Sequence, residues 1–216
     1  MEKREDLGTE DHRLLERYHR GYIRHGLGLD AQQRRELEKV QKRLVRQINE
    51  FEKNLREESD GAWFTADDLI GLPEDMIAGL EHGTDVNEGQ LQLTFSFPHR
   101  FTTMKYAKNS GTRRHYYIAY ENRCPDNVAI LKEIMVLRQE AAQLLGYDNH
   151  ASFRIEDKMA KTPEAVMAFL DDLRSRLSAG AQDDIRRLTQ LKNADLAARH
   201  QPAETEFYLW DYAYYN

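Results

Sequence analysis

Apolar residues stand at Leu37, Val40, Leu44, Ile48, Phe51 and Leu55, in steps of 3, 4, 4, 3 and 4. That spacing draws one stripe along an α-helix, with Arg, Lys and Glu on its other faces. Asp30 opens the helix as an N-cap with Gln33 as capping-box partner, and Ser59-Asp60-Gly61 closes it. The stripe covers only about three heptads, so it predicts a helix packed in a bundle rather than a two-stranded coiled coil. Ahead of it, Glu10 to Arg24 reads as a first helix that ends at "HGLGLD", where Gly26 and Gly28 suit a left-handed closing turn. With no strand before it, "GLGL" does not read as a phosphate loop.

The middle of the chain changes period. Ala62–Phe64 reads as a short strand, followed by a short helix capped by Thr65 and another from Pro73 to Leu80. "LQLTFSFP" alternates Leu91, Leu93, Phe95 and Phe97 with polar residues, and Pro98 closes it as a half-buried strand. The two strands, about residues 62–64 and 91–97, are expected to pair antiparallel as a small sheet on a helical body. Helices then resume: Phe101–Ala107; "NSGTRRHYYIAYENR", with Tyr116, Tyr117 and Tyr120 on an aromatic face; Pro125 to Gly146; and "NHASFRIEDKMA". Thr162-Pro163 opens a long helix with Glu164 near its positive end and apolar positions from Val166 to Leu191. Gly180 is a candidate bend, and "HGTDVNEG" and "HQPAE" read as plain loops. The fold class is mainly α with a small β element.

Composition narrows the picture. At 216 residues, 40% hydrophobic and 31% charged, the chain can bury the core of one large domain or two small ones. A net charge of −6 opposes a general nucleic-acid role. No apolar run approaches the roughly 20 residues of a membrane span, so no membrane role is expected. A single cysteine, Cys124, excludes an internal disulfide and fits a reducing compartment. The start, "MEKREDLGTEDH", has no apolar core and does not read as a secretory signal.

Candidate chemistry is sparse. A zinc hydrolase helix needs two His at i and i+4 with a Glu between them. None of His12, His19, His25, His82, His99, His115, His150 and His200 has a partner four residues away, and each reads as a surface or capping residue. Ser110 lies in "NSGT", outside any nucleophile elbow. Cys124 precedes a proline and reads as a turn or buried thiol. The pairs Asp67-Asp68, Asp171-Asp172 and Asp183-Asp184 are sequence neighbours that diverge by about 100° on a helix, so they read as solvated faces. Arg113-Arg114 could hold a carboxylate or phosphate, with surface ion pairing as the plainer expectation. No catalytic, cofactor-binding or metal residue is assigned.

Several ordered blocks nevertheless resemble one family: "FEKNLREES", "FTADDLIGLPEDMIAGL", "LQLTFSFPHRFTTMKYA", "TRRHYYIAYENRC", "LLGYDNHASFRIEDKMAKTPEAV" and "WDYAYY". Their order and spacing, from about Arg13 to Tyr215, are similar to the thimet oligopeptidase and neurolysin family of zinc metallopeptidases. The resemblance implies a mainly helical fold with two lobes flanking a deep channel that admits short peptides. It also implies zinc on the channel floor, held by H-E-x-x-H and a further Glu, and a cytoplasmic or mitochondrial location. This chain contains no H-E-x-x-H. The expectation is therefore an internal stretch of such an enzyme, inactive alone and binding no zinc itself. Residues 1–216 would be a partial helical domain, and residues 207–216 would begin the catalytic half. The alternative is a non-catalytic helical peptide-binding or protein-interaction module. The aromatic end, "FYLWDYAYYN", is expected to be a helix whose faces need cover, Trp210 and Tyr214 on one and Tyr208, Tyr212 and Tyr215 on another. Self-association through Trp210, Tyr212, Tyr214 and Tyr215, or a frayed tail, is the expectation that follows.

Overall fold

The computed structural model describes residues 8–216. Most of the stretch read for a signal sequence, its first seven residues, lies outside the described residues. The helices are α1 (Thr9–Arg24), α2 (Ala31–Arg56), α3 (Glu74–Ala78), α4 (Phe97–Tyr106), α5 (Ser110–Glu121), α6 (Asn127–Leu144), α7 (His150–Ile155), α8 (Pro163–Ala198) and α9 (Leu209–Tyr215). The strands are β1 (Gly61–Phe64), β2 (Glu81–His82) and β3 (Leu91–Thr94). The fold is mainly α with one small antiparallel sheet. Residues 8–54 with 126–169 form one compact unit, and residues 55–125 with 170–216 form a second.

In the first unit, α2 starts as its sequence dictates. Asp30 Oδ1 accepts from the amides of Gln32 and Gln33, both at 2.8 Å, and Gln33 Oε1 accepts from the Asp30 amide at 3.4 Å. Leu37 and Val40 are buried, Leu44, Ile48 and Phe51 are half-buried, and Leu55 is exposed. The stripe thus faces its neighbours most closely at its N-terminal end. α6 runs beside α2, joined by Arg43–Glu133, by Asn54 donating to Asn127 at 2.8 Å, and by Asn127 donating to the Phe51 carbonyl at 3.1 Å. Ile134, Leu137 and Ala142 are the buried apolar side of α6. Of the two glycines read as closing α1, only Gly26 takes the left-handed conformation, at φ +90°. A Cβ there would meet Leu37 Cδ2 at 2.7 Å. α1 is tied to α7 by Arg24, which donates to Glu156 Oε2 and the Phe153 carbonyl at 2.6 Å each.

The helix read over "NHASFRIEDKMA" is shorter than expected. Asn149 caps it by accepting from the Ser152 amide at 2.8 Å, and it ends at Ile155. The chain then turns, with Lys161 in the left-handed region at φ 68°.

The second unit is built on the sheet, ordered β1-β3-β2. β1 pairs antiparallel with β3, Ala62 opposite Leu93 and Phe64 opposite Leu91, and all four side chains are buried. Leu69, Leu72, Leu80, Met104, Ala107 and Tyr116 complete this core. Four local expectations are corrected here. "HGTDVNEG" is no plain loop: its first residue closes β2, and a 3₁₀ turn covers Asp85–Asn87. Both β2 residues are exposed, so no alternation marked the strand. The helix expected after Thr65 is a run of i→i+3 turns. Thr65 and Asp68 exchange hydrogen bonds as a cap would, but Gly71 at φ +106° bends the chain so that the Ile70 carbonyl accepts from the Lys108 amide at 2.9 Å. β3 stops at Thr94, and Pro98 sits in the first turn of α4 instead of ending a strand. At that position the missing proline N–H has no helical partner to lose. Phe97 therefore points outward, 73% exposed. Finally, α8 continues through Gly180 for 36 residues. One glycine costs about 1 kcal/mol against alanine, too little to divide so long a helix.

Leu93 is wholly buried at the centre of the sheet. Leu93→Ala should lower unfolding free energy by about 2–5 kcal/mol, whereas Phe97→Ala should change it by less than about 0.5 kcal/mol. Urea unfolding followed by circular dichroism measures both; equal losses would place Phe97 on a buried strand after all.

Candidate functional site

The terminal helix α9 packs against α4 and α5, but its buried residue is not aromatic. Asp211 is fully buried. Its Oδ1 accepts from Arg113 Nη2 at 2.5 Å and from Ser110 Oγ at 3.1 Å, and its Oδ2 accepts from Lys192 Nζ at 2.7 Å. Three elements thus meet at one carboxylate: α5 brings Ser110 and Arg113, α8 brings Lys192, and α9 brings Asp211. Arg113 and Lys192 are each 1% exposed.

Each member has further partners. Arg113 Nη1 donates to the Ala107 carbonyl at 2.6 Å, and its guanidinium lies 4.2 Å from the Tyr214 ring centroid. Lys192 also pairs with Glu204 at 2.5 Å. Burial works against the Lys192 ammonium, but its hydrogen bonds to Asp211 and Glu204 outweigh it and hold the pKa above the ordinary value. A second tier surrounds the first. Tyr215 donates to Asp195 Oδ2 at 2.9 Å, and Arg199 donates to Tyr214 Oη at 2.8 Å and to the Lys108 carbonyl at 2.9 Å. Burial, then the Asp195 hydrogen bond, push the Tyr215 hydroxyl above its ordinary range.

This corrects one expectation. Arg113 is a buried carboxylate clamp, not a surface ion-pairing residue. On the aromatic helix, Trp210 packs on the core, the Tyr214 hydroxyl accepts from Arg199, the Tyr215 hydroxyl donates to Asp195, and Tyr212 stays 51% exposed. Lys192 and Asp211 were missed. A lone acid inside "LWDYAYY" was the available signal, since a carboxylate among aromatics on a short helix calls for a buried cation.

The other candidates disperse. Cys124 donates to Glu58 Oε2 at 2.9 Å. Burial and that carboxylate push its thiol up to about 11, so it is not a thiolate nucleophile at neutral pH. Ser110 faces the ion cluster, with Asp211 as its side-chain partner. Asp171, Asp172 and Asp183 pair with Arg174, Arg176 and Arg186 on the surface of α8, and Asp68 serves the turn at Thr65. His99 Nδ1 accepts from the Thr94 amide at 3.0 Å, and burial holds its pKa below the ordinary value. Among the described residues, no three His, Cys, Asp or Glu side chains come together to hold a metal. The described residues therefore do not fit the zinc that the family resemblance implies. An apolar groove of about 620 Å³ lies between α8 and α9, lined by Ile185, Leu188, Leu191, Leu209 and Tyr212 among others. The arrangement fixes helices in place and presents a groove.

Asp211→Asn keeps the shape and removes the charge that Arg113 and Lys192 share. Unfolding free energy should fall by about 3–5 kcal/mol, against about 0.5 kcal/mol or less for Asp171→Asn at the exposed Arg174 pair; comparable losses in the two variants would remove Asp211 from its central place. A pH prediction has the same origin. Lys192 and Tyr215 have ordinary values of 10.5 and 10.0, both raised by folding. The folded chain keeps these protons after the unfolded chain has released them, so their stabilisation is complete below pH 10 and declines as pH rises above it. Tyr215→Phe should make that decline shallower in denaturant titrations between pH 9 and 11.5. An unchanged slope would exclude a contribution from Tyr215.

Residues 103–216 match the model of Peptidase family M3, a stretch that contains Arg113, Lys192 and Asp211. Saccharolysin of Saccharomyces cerevisiae is 34% identical over 218 residues, covering 99% of this chain and 30% of that protein. Oligopeptidase PhomG of Diaporthe leptostromiformis is 35% identical over 211 residues, with 97% and 30% covered. Oligopeptidase A of Escherichia coli is 28% identical over 224 residues, with 97% and 32% covered. The chain spans less than a third of the length of these curated relatives. With the model match extending over α5, α8 and α9, the chain belongs to peptidase family M3.

Proposed function

We propose that this chain supplies helical scaffold and one wall of the peptide channel in a thimet-oligopeptidase-like zinc metalloendopeptidase that hydrolyses short peptides. On its own it neither holds catalytic zinc nor cuts peptides. The observation that carries the reading is the match of nearly the whole chain to less than a third of saccharolysin and of oligopeptidase PhomG. When bound, zinc supplies the family's chemistry by polarising a water that a carboxylate deprotonates. No His pair at i and i+4 is present here to hold it.

The contribution of these residues is geometric. Asp211 pins α9 to α5 and α8 through charges buried out of water, which sets the axis and rotation of that helix. We read α9 as the beginning of the catalytic half. Its anchoring then governs how accurately the channel floor is placed, and misplacements near 1 Å are costly in catalysis. By the same resemblance we place the protein in the cytoplasm or mitochondrion. We further read the exposed face around Tyr212 as a site of self-association, with Trp210, Tyr214 and Tyr215 supporting it from within.

The purified 216-residue chain, supplied with zinc and a quenched short peptide, should show no chelator-sensitive hydrolysis and no zinc retained through dialysis. Chelator-sensitive turnover by this chain would falsify its assignment as scaffold.

A further inference from the structure

The outer side of α8 carries an apolar stripe that the core does not use. Leu170, Leu173, Leu177 and Leu191 are 39% to 58% exposed, and beside them α9 presents Leu209 at 73% and Tyr212 at 51%. Two charges, Asp184 and Arg187, stand in the wall of the α8–α9 groove one turn apart. Their neighbours Asp183 and Arg186 pair with each other, while Asp184 and Arg187 have no counter-ion among the described residues. A surface with an unpaired acid and an unpaired base one turn apart is its own complement under a two-fold axis, because such an axis sets each residue against its opposite number.

We propose that a second copy of this chain docks on this face with the two α8 helices antiparallel, Asp184 of each copy on Arg187 of the partner subunit. The proposal deepens the self-association reading and rests on it. The register that sets 184 against 187 also sets Leu191 against Gly180 of the partner subunit and Leu177 against Ala194 of the partner subunit. Each apolar layer thus pairs a large side chain with a small one, as close helix packing requires. Gly180 has open space where a Cβ would stand, which leaves room for Leu191 of the partner subunit. Residues 177, 180, 184, 187, 191 and 194 alternate in steps of 3 and 4 along one helix face, the spacing of a helix–helix seam. The ion pairs sit between apolar layers that shield them from water, so they select the antiparallel register as much as they add affinity.

Sedimentation velocity on the intact 216-residue chain over a wide concentration range tests this. The wild type should show reversible dimerisation. Asp184→Arg and Arg187→Asp should each weaken it by at least about tenfold, and the double reversal should restore it to within about threefold. Gly180→Leu, whose Cβ meets nothing within 4 Å in the single chain, should also weaken it by about tenfold or more. Far-UV circular dichroism reports whether each variant stays folded. A wild type that is monomeric throughout overturns both this interface and the self-association reading. A dimer indifferent to the single reversals and to Gly180→Leu overturns this interface alone and leaves self-association by another surface standing.

Discussion

The second unit depends on one carboxylate removed from water. Asp211 accepts from Arg113, Lys192 and Ser110, and none of the three charged groups has appreciable access to solvent. Burying a single charge in a protein interior costs several kcal/mol, and a cluster of three is tolerable only when the hydrogen bonding is nearly complete. It nearly is. Among the polar side-chain atoms of the three charged residues, only Arg113 Nε is buried without a partner. Because the planar Arg113 guanidinium donates in fixed directions and Lys192 and Ser110 share the same carboxylate, the position of α9 against α5 and α8 is tightly restricted. A purely apolar contact would let so short a helix slide or rotate at little cost.

That constraint accounts for the rest of the C-terminal segment. Seven residues make too short a helix to be stable alone. The loop from His200 to Tyr208 is drawn in by Lys192, whose ammonium reaches Glu204 and the Glu206 carbonyl as well as Asp211. Asn193 adds a reciprocal pair of hydrogen bonds with the Glu204 backbone. Consecutive residues of α8 thus hold the loop and the helix that follows it. The aromatic rings then fill the space the ions define: Tyr214 lies over the Arg113 guanidinium, and Tyr208 stacks on Trp210 at 4.5 Å.

Sequence patterns captured the parts of the fold that repeat. The α2 stripe, the Asp30 capping box, the antiparallel pairing of residues 62–64 with Leu91 and Leu93, and the opening of α8 at Thr162-Pro163 are periodic or carry residue-specific caps. Failures fell where one residue type serves two purposes. Pro98 ends a strand or starts a helix, and its neighbour Phe97 continued the alternation by coincidence. Thr65 caps a turn as readily as a helix, and Gly71, six residues on, decided between them. β2 had no buried face and therefore no pattern. The Arg113–Asp211 pair was illegible for another reason: its members lie 98 residues apart, and at that distance no local rule distinguishes a clamp from a surface arginine. What could be read was the oddity of an acid within an aromatic run.

α8 shows how one helix can meet opposite demands. Toward the core it spends a lysine, a residue with strong preference for water, because the carboxylate of α9 makes that burial favourable. Toward solvent it leaves leucines uncovered, which single chains usually avoid over so long a stripe. The inner face is ionic and satisfied, and the outer face is apolar and unsatisfied. An inner face held by directed hydrogen bonds keeps α8 and α9 in fixed relation, so the groove between them is preformed and its leucines and Tyr212 do not have to be ordered when something docks. Preformed apolar grooves bind with less loss of conformational freedom than flexible ones. The buried Asp211 cluster therefore works on both sides of the helix: it secures α9 against α5 and α8, and it holds the shape of the groove between α8 and α9.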